Sequence, residues 1–266
     1  TYNADELEEA AIYYRDHANA LADQVMRDAD GNVEFSDFKT LANQAGDGFR
    51  VLTYQYSYSI FAGSTLPVKE LGWADMYTSM GITGLTMGIT GEAAVNPQIP
   101  DVCLPFTMCH EMAHRMCIAQ ERDANFAGFL AASVNPSIEF QYSAYFMAYR
   151  YCYNALASAN STNAAAAAAR VASGAHSLLK RDLNYYNTFF SDNRNETATK
   201  VAATANNTYI TASGDPAGTV SYDRVVDLLV NWHIEQVVLP SLTEEEKPFD
   251  PLDESQVDLS GIVNAR

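Results

Sequence analysis

His110, Glu111 and His114 form an H-E-x-x-H pattern, and Glu121 follows seven residues after the second histidine. Histidines four apart on an α-helix are separated by about 40° around the axis and about 6 Å along it, so both imidazoles can reach one ion. The glutamate between them then stands on the flank, placed to take a proton from a metal-bound water rather than to bind the metal. The chain holds five His, so the pattern would arise by chance in roughly one such sequence in a hundred or fewer. The competing reading, two solvated or core histidines on an ordinary helix, must also account for the neighbours. Leu104, Phe106, Met108, Cys109, Met112 and Ala113 are uncharged, Pro105 and Thr107 suit a helix start, and Arg115 is the one charged intruder.

The third ligand is a matter of reach. On a helix running straight through from His110, Glu121 would face the same way but about 16 Å up the axis. The chain must therefore break between Cys117 and Gln120, with a second helix starting near Glu121 and running through Asn125, Phe126, Phe129 and Leu130. Zinc with two His, one Glu and an open fourth position is a catalytic arrangement, whereas structural sites close that position with protein ligands, usually Cys. The expected set is one Zn2+ on His110, His114 and Glu121. Asn125, one turn beyond Glu121, is either the group that holds a ligating histidine by its free N–H or a surface amide.

At these residues the second-helix pattern Glu-x-x-x-Asn resembles the gluzincin plan of thermolysin-like zinc peptidases, with a short connection. The runs GLTMGITGEAAVN (84–96), LPFTMCHEMAHRM (104–116), ERDANFAGFLA (121–131), FQYSAYFMAYRYCYNAL (140–156) and GTVSYDRVVDLLV (218–230) resemble, in order, the bacterial family catalogued as domain of unknown function 3810. The resemblance implies a metallopeptidase-like domain behind membrane-anchoring helices, at the extracellular face of a bacterial membrane, with no established substrate. Cys117 and Asp223 stand where that pattern has Gly, and Gly is the residue that most easily ends a helix in the left-handed conformation.

The elements that must position these residues begin with an adequate core. At 266 residues and 48% hydrophobic, the chain can bury one without staples, and a single domain is expected over 1–266. Net charge is −17, from 16 basic and 33 acidic residues, which argues against nucleic acid or an anionic bilayer as an electrostatic partner. No apolar window of 18 residues occurs, so this segment is not expected to insert into a membrane. Cys103, Cys109, Cys117 and Cys152 show no CxxC pairing, and Cys109 and Cys117 read as small buried residues.

Residues 1–60 read as helical. Leu7, Ala10, Ala11, Tyr14, Ala18, Leu21 and Val25 fall at helical spacing within 2–27, and a second helix begins at Ser36 or Asp37. Between them DADGNVEFSDF is similar to a calcium loop, but aligning Gly31 to the obligatory glycine puts Met26 at the first ligand position, so a turn is expected. Six glycines between Gly63 and Gly91 punctuate short Thr-, Ile-, Leu- and Met-rich runs, which predicts a small antiparallel sheet over 61–100 beside the metal helix. Gly88 to Val95 is its candidate substrate-binding edge, or a structural hairpin. Glu92 on it either binds a substrate amine or is a solvated charge.

The part from 101 to 240 reads as the metal-site helices followed by further helices. Ile138 to Leu156 carries seven aromatics, too many for one buried face. Tyr142 and Tyr145 are candidates to stabilise an oxyanion, or core residues with satisfied hydroxyls. Asn163 to Leu179, with Ala at 164–169, is a strong helix former without chemistry of its own. Asn206 to Thr219 reads as a loop, Ser221 as a helix start, and 241–266 as an acidic tail. His233 on the late helix could help bind an oxyanion or be structural, with His17 and His176 weaker candidates.

The fold expected is α+β, mainly α-helical and zincin-like, with the small sheet beside the H-E-x-x-H helix. The function expected is a zinc-dependent metallopeptidase acting on a peptide or protein, with Glu111 as general base. A non-catalytic zinc-containing surface binding or scaffold domain is the alternative, and a non-peptide amide is a third substrate class that sequence does not separate.

Overall fold

Asn3 starts the first helix by a reciprocal cap: its side chain accepts from the backbone N–H of Asp5 and Glu6, and Glu6 accepts from the N–H of Asn3. In a computed structural model describing residues 2–200 and 225–242, this helix is α1 (Ala4–Ala22). It buries Leu7, Ala10, Ala11, Tyr14 and Ala18 of the helically spaced set, while Leu21 is half-buried and Val25 lies beyond the helix, which ends five residues before Arg27. The DADG segment is a turn, with Asp28 accepting from the backbone and side chain of Asn32 and Gly31 at φ +80. Asp37 then caps α2 (Phe38–Tyr54) through the N–H of Thr40.

The sheet is mixed rather than antiparallel. β1 (Lys69–Glu70) pairs parallel with β3 (Glu92–Val95), and β2 (Gly84–Met87) pairs antiparallel with β3, in the order β1-β3-β2. The sequence reading missed α3 (Ala74–Met80), a short helix that reverses the chain between β1 and β2 and thereby brings β3 back parallel to β1. A second correction follows. β3 is bonded on both sides, so Gly88 to Val95 is a turn and a central strand, and β2 is the edge next to the metal motif among the described residues. Glu92 is exposed and paired with Lys69. Ala93 and Val95 on the inner face are buried.

That face packs on α4 (Leu104–Arg115), which also contacts α2 and α5 (Glu121–Ser133) and so is enclosed nearly all round. Pro105 occupies its first turn, where a missing N–H costs nothing. Gly48 on α2 lies against the Ala131 carbonyl, and a Cβ at Gly128 would come 3.2 Å from the His110 nitrogen. Glycine thus lets α5 approach both helices closely.

α6 (Ile138–Ser158) runs along α1 and α5. The expected helix from Asn163 to Leu179 is two: α7 (Thr162–Ser173) stops at Gly174, and His176 caps α8 (Ser177–Asn193) through the Leu178 N–H. Helix α9 (Val225–His233) follows, ending in a π-helical turn at Ile234–Val238. The loop read at Asn206 to Thr219, the start at Ser221 and the tail from Thr243 lie outside the described residues. No described helix is long and apolar enough to cross a membrane.

Candidate metal centre

The chain breaks where reach requires it. α4 ends at Arg115, Cys117 takes a left-handed φ of +69, and α5 starts at Glu121. Cys117 does what Gly does elsewhere, and it is exposed rather than buried as expected. The turn swings Glu121 back over the histidines.

His110, His114 and Glu121 each turn a ligand atom into one group within 4.8 Å. The Nε2 atoms of His110 and His114 are 3.1 Å apart, and the nearer Glu121 oxygens lie 3.4 Å from His110 and 3.6 Å from His114. Ligands about 2.0–2.1 Å from a tetrahedral zinc stand about 3.3 Å from each other, so the two histidine nitrogens are spaced for such an ion, and Glu121 faces them with Oε2 toward His110 and Oε1 toward His114. Two imidazole nitrogens facing each other at 3.1 Å otherwise need one to carry a proton.

Buried polar atoms without partners mark the same place: Glu121 Oε2, His110 Nδ1 and the Asn125 side-chain nitrogen. Of these, Glu121 Oε2 belongs to the metal group itself, whereas His110 Nδ1 is the ring nitrogen opposite the one that faces His114 and the Asn125 nitrogen is a donor. His114 is held otherwise, its Nδ1 bonding the Ile118 carbonyl at 2.8 Å. A backbone carbonyl, and not Asn125, thus holds His114. Asn125 is 2% exposed and accepts from the Tyr151 hydroxyl at 3.3 Å.

Electrostatics bind the group together. Burial raises the Glu121 carboxyl, but His110 and His114 outweigh it and hold it well below the usual range. Burial likewise lowers the His114 imidazolium, and Glu121, Glu111 and the Ile118 carbonyl outweigh it, bringing it to about 9. Glu111 is 4% exposed, and burial pushes its carboxyl up against the pull of the histidines and of Thr86. The Thr86 hydroxyl of β2 donates to Glu111 Oε2 at 2.6 Å. Neither Thr86 nor Gly84 was singled out in the sequence, because nothing local reveals which strand residue lies over a helix far along the chain.

The other candidates lie elsewhere. Helices α5 and α6 run antiparallel, since Asn125 meets Tyr151 while Phe129 meets Tyr145. The end of α6 near Tyr151 therefore lies toward the metal group, and Tyr145 and Tyr142 lie progressively away from it. Tyr145 packs on Tyr13 and His17 of α1. Tyr142 donates its hydroxyl to Asp182, which also takes both terminal nitrogens of Arg27; it is a satisfied core residue. His233 packs on Tyr13, and burial together with His17 lowers its pKa. The structure thus brings together His110, His114, Glu121, Glu111 and, one turn away, Asn125.

A mainly helical protein with a small mixed three-stranded sheet laid over a His-His-Glu group is the class that this geometry defines. The chain belongs to the DUF3810 family, described as protein of unknown function, whose model matches residues 1–230. No curated protein and no solved structure matches the chain.

Proposed function

We propose that this protein is a zinc-dependent metallopeptidase of zincin-like fold, with zinc on His110, His114 and Glu121 and with Glu111 as general base. The observation that supports the reading is the convergence of three ligand groups: the histidine Nε2 atoms stand 3.1 Å apart, and the Glu121 carboxylate faces them with Oε2 3.4 Å from His110 and Oε1 3.6 Å from His114, a donor set of two His and one Glu that suits a catalytic zinc. A bound zinc ion polarises a carbonyl oxygen and acidifies water. Glu111, adjoining the ligands, takes a proton from the attacking water and delivers it to the leaving amine. Its burial favours the neutral form, which helps the second of these steps.

The substrate class is read from β2. An extended peptide can add by backbone hydrogen bonds to its outer edge, which is unpaired among the described residues, and such bonds supply binding without demanding one sequence. The test is cleavage of a peptide library by the zinc-loaded protein with Glu111→Gln alongside. Glu111→Gln keeps the ion and loses at least about a hundredfold in turnover, the span of general base catalysis. Equal cleavage by both proteins would remove Glu111 from the mechanism.

A further inference from the structure

Glu111 is not left to find its own orientation. Two residues of β2, spaced by two and therefore on one face of the strand, meet its carboxyl group. Thr86 Oγ1 lies 2.6 Å from Glu111 Oε2 and 3.0 Å from the Glu111 carbonyl oxygen. The hydroxyl has one proton for these two acceptors, and the shorter contact, to the carboxylate, is the stronger hydrogen bond. At Gly84 an added Cβ would stand 2.5 Å from Glu111 Oε1, 2.6 Å from Cγ and 2.7 Å from Cδ. Gly84 has no positive φ, unlike Gly31, Gly81 and Gly91, so what the glycine provides is room rather than an unusual backbone.

We propose that Gly84 and Thr86 are positioning residues for the general base: Gly84 supplies the slot in which the Glu111 carboxyl group lies, and Thr86 fixes its rotation by a hydrogen bond. This rests on the reading of Glu111 as the base beside a zinc ion. It goes beyond that reading by giving β2 a second task. The strand whose outer edge is unpaired among the described residues is also the strand whose inner face holds the base. A carboxylate turned away by one torsion leaves the reach of the reacting proton, although the fold and the ligands are unchanged.

Four variants, Gly84→Ala, Thr86→Val, Thr86→Ser and Glu111→Gln, are loaded with zinc and compared with the wild type by two titrations. Zinc affinity is read by chelator competition, and affinity for acetohydroxamate by calorimetry. This probe binds zinc through two oxygens and shares its hydroxyl proton with an adjacent carboxylate. Zinc affinity is expected to be unchanged throughout. Acetohydroxamate binding is expected to fall about tenfold or more in Thr86→Val and Gly84→Ala, toward the level of Glu111→Gln, and to return in Thr86→Ser, a scale set by one hydrogen bond to a charged group.

If Thr86→Val binds the probe like the wild type, or Thr86→Ser is as weak as Thr86→Val, the proposal is overturned while the zinc site stands. A wild-type protein that takes up no zinc overturns both. A crystal structure of Thr86→Val is decisive whatever the probe does, because an unmoved Glu111 carboxylate contradicts the positioning role.

Discussion

His114 turns its Nδ1 onto the Ile118 carbonyl oxygen at 2.8 Å, which leaves Nε2 as the nitrogen facing His110 and Glu121. The carbonyl is in place because Cys117 adopts φ +69. One residue in a left-handed conformation therefore both returns Glu121 to the histidines and fixes the ring of one of them. A hydrogen bond of this kind sets the tautomer and orientation of a ligating imidazole.

Cys117 pays a conformational penalty of about 1–2 kcal/mol relative to a right-handed residue, and its exposed side chain returns little packing. Cys117→Gly is expected to stabilise the protein by up to about 1 kcal/mol, the remainder being offset by the freedom glycine has when unfolded. Cys117→Val is expected to destabilise it and to weaken zinc binding through the loosened Ile118 carbonyl. Denaturant midpoints and zinc titrations of the two variants check this; equal zinc affinities would detach the turn from the ligand.

The tyrosine on the Asp182 carboxylate separates a core role from a catalytic one. Asp182 is 2% exposed and faces Arg27 at 2.7 Å. Asp182→Ala leaves the part-buried guanidinium only the Gly31 and Ala22 carbonyls as partners and is expected to cost about 1.5–3 kcal/mol, the range for hydrogen bonds to a charged group. Tyr142→Phe removes one hydrogen bond to a charged group, about 1.5–3 kcal/mol. Neither change is expected to alter zinc affinity, read by titration below the melting temperature; a Tyr142→Phe protein of normal stability but reduced zinc affinity would reverse the assignment.

Zinc binding should release protons. Without the ion His114 is held protonated at neutral pH, its pKa near 9, and a ligating imidazole must be neutral. Lowering the pH below 9 therefore adds a proton that zinc has to displace, and affinity is expected to rise with pH until about 9 and then level. Calorimetry at pH 7 in buffers of different ionisation enthalpy should show about one proton released on account of His114. Binding with no proton release would mean that the ion does not reach this histidine.

The ligand set was legible because a helix has a fixed period: the H-E-x-x-H spacing and the 16 Å problem at Glu121 follow from geometry alone. The same holds for α1, α2 and α6, whose starts lie within two residues of the sequence reading. What stayed hidden depends on contacts between distant segments. Strand order decides that β2 rather than β3 is the edge, and that Thr86 meets Glu111 across 25 residues. The antiparallel register of α5 and α6 brings Tyr151 rather than Tyr142 or Tyr145 beside Asn125. A run of aromatics at helical spacing shows that a helix is buried, not which ring faces a site.

The central claim is that His110, His114 and Glu121 hold one zinc ion, and metal analysis of the purified protein tests it most directly. One molar equivalent of zinc is expected in the wild type, none in a His110→Ala, His114→Ala double variant, and affinity reduced by more than about a hundredfold in Glu121→Ala, beyond the range seen when only an outer partner of a ligand is lost. Zinc absent from the wild type after mild purification and reloading, or retained in full by the double variant, would contradict the account.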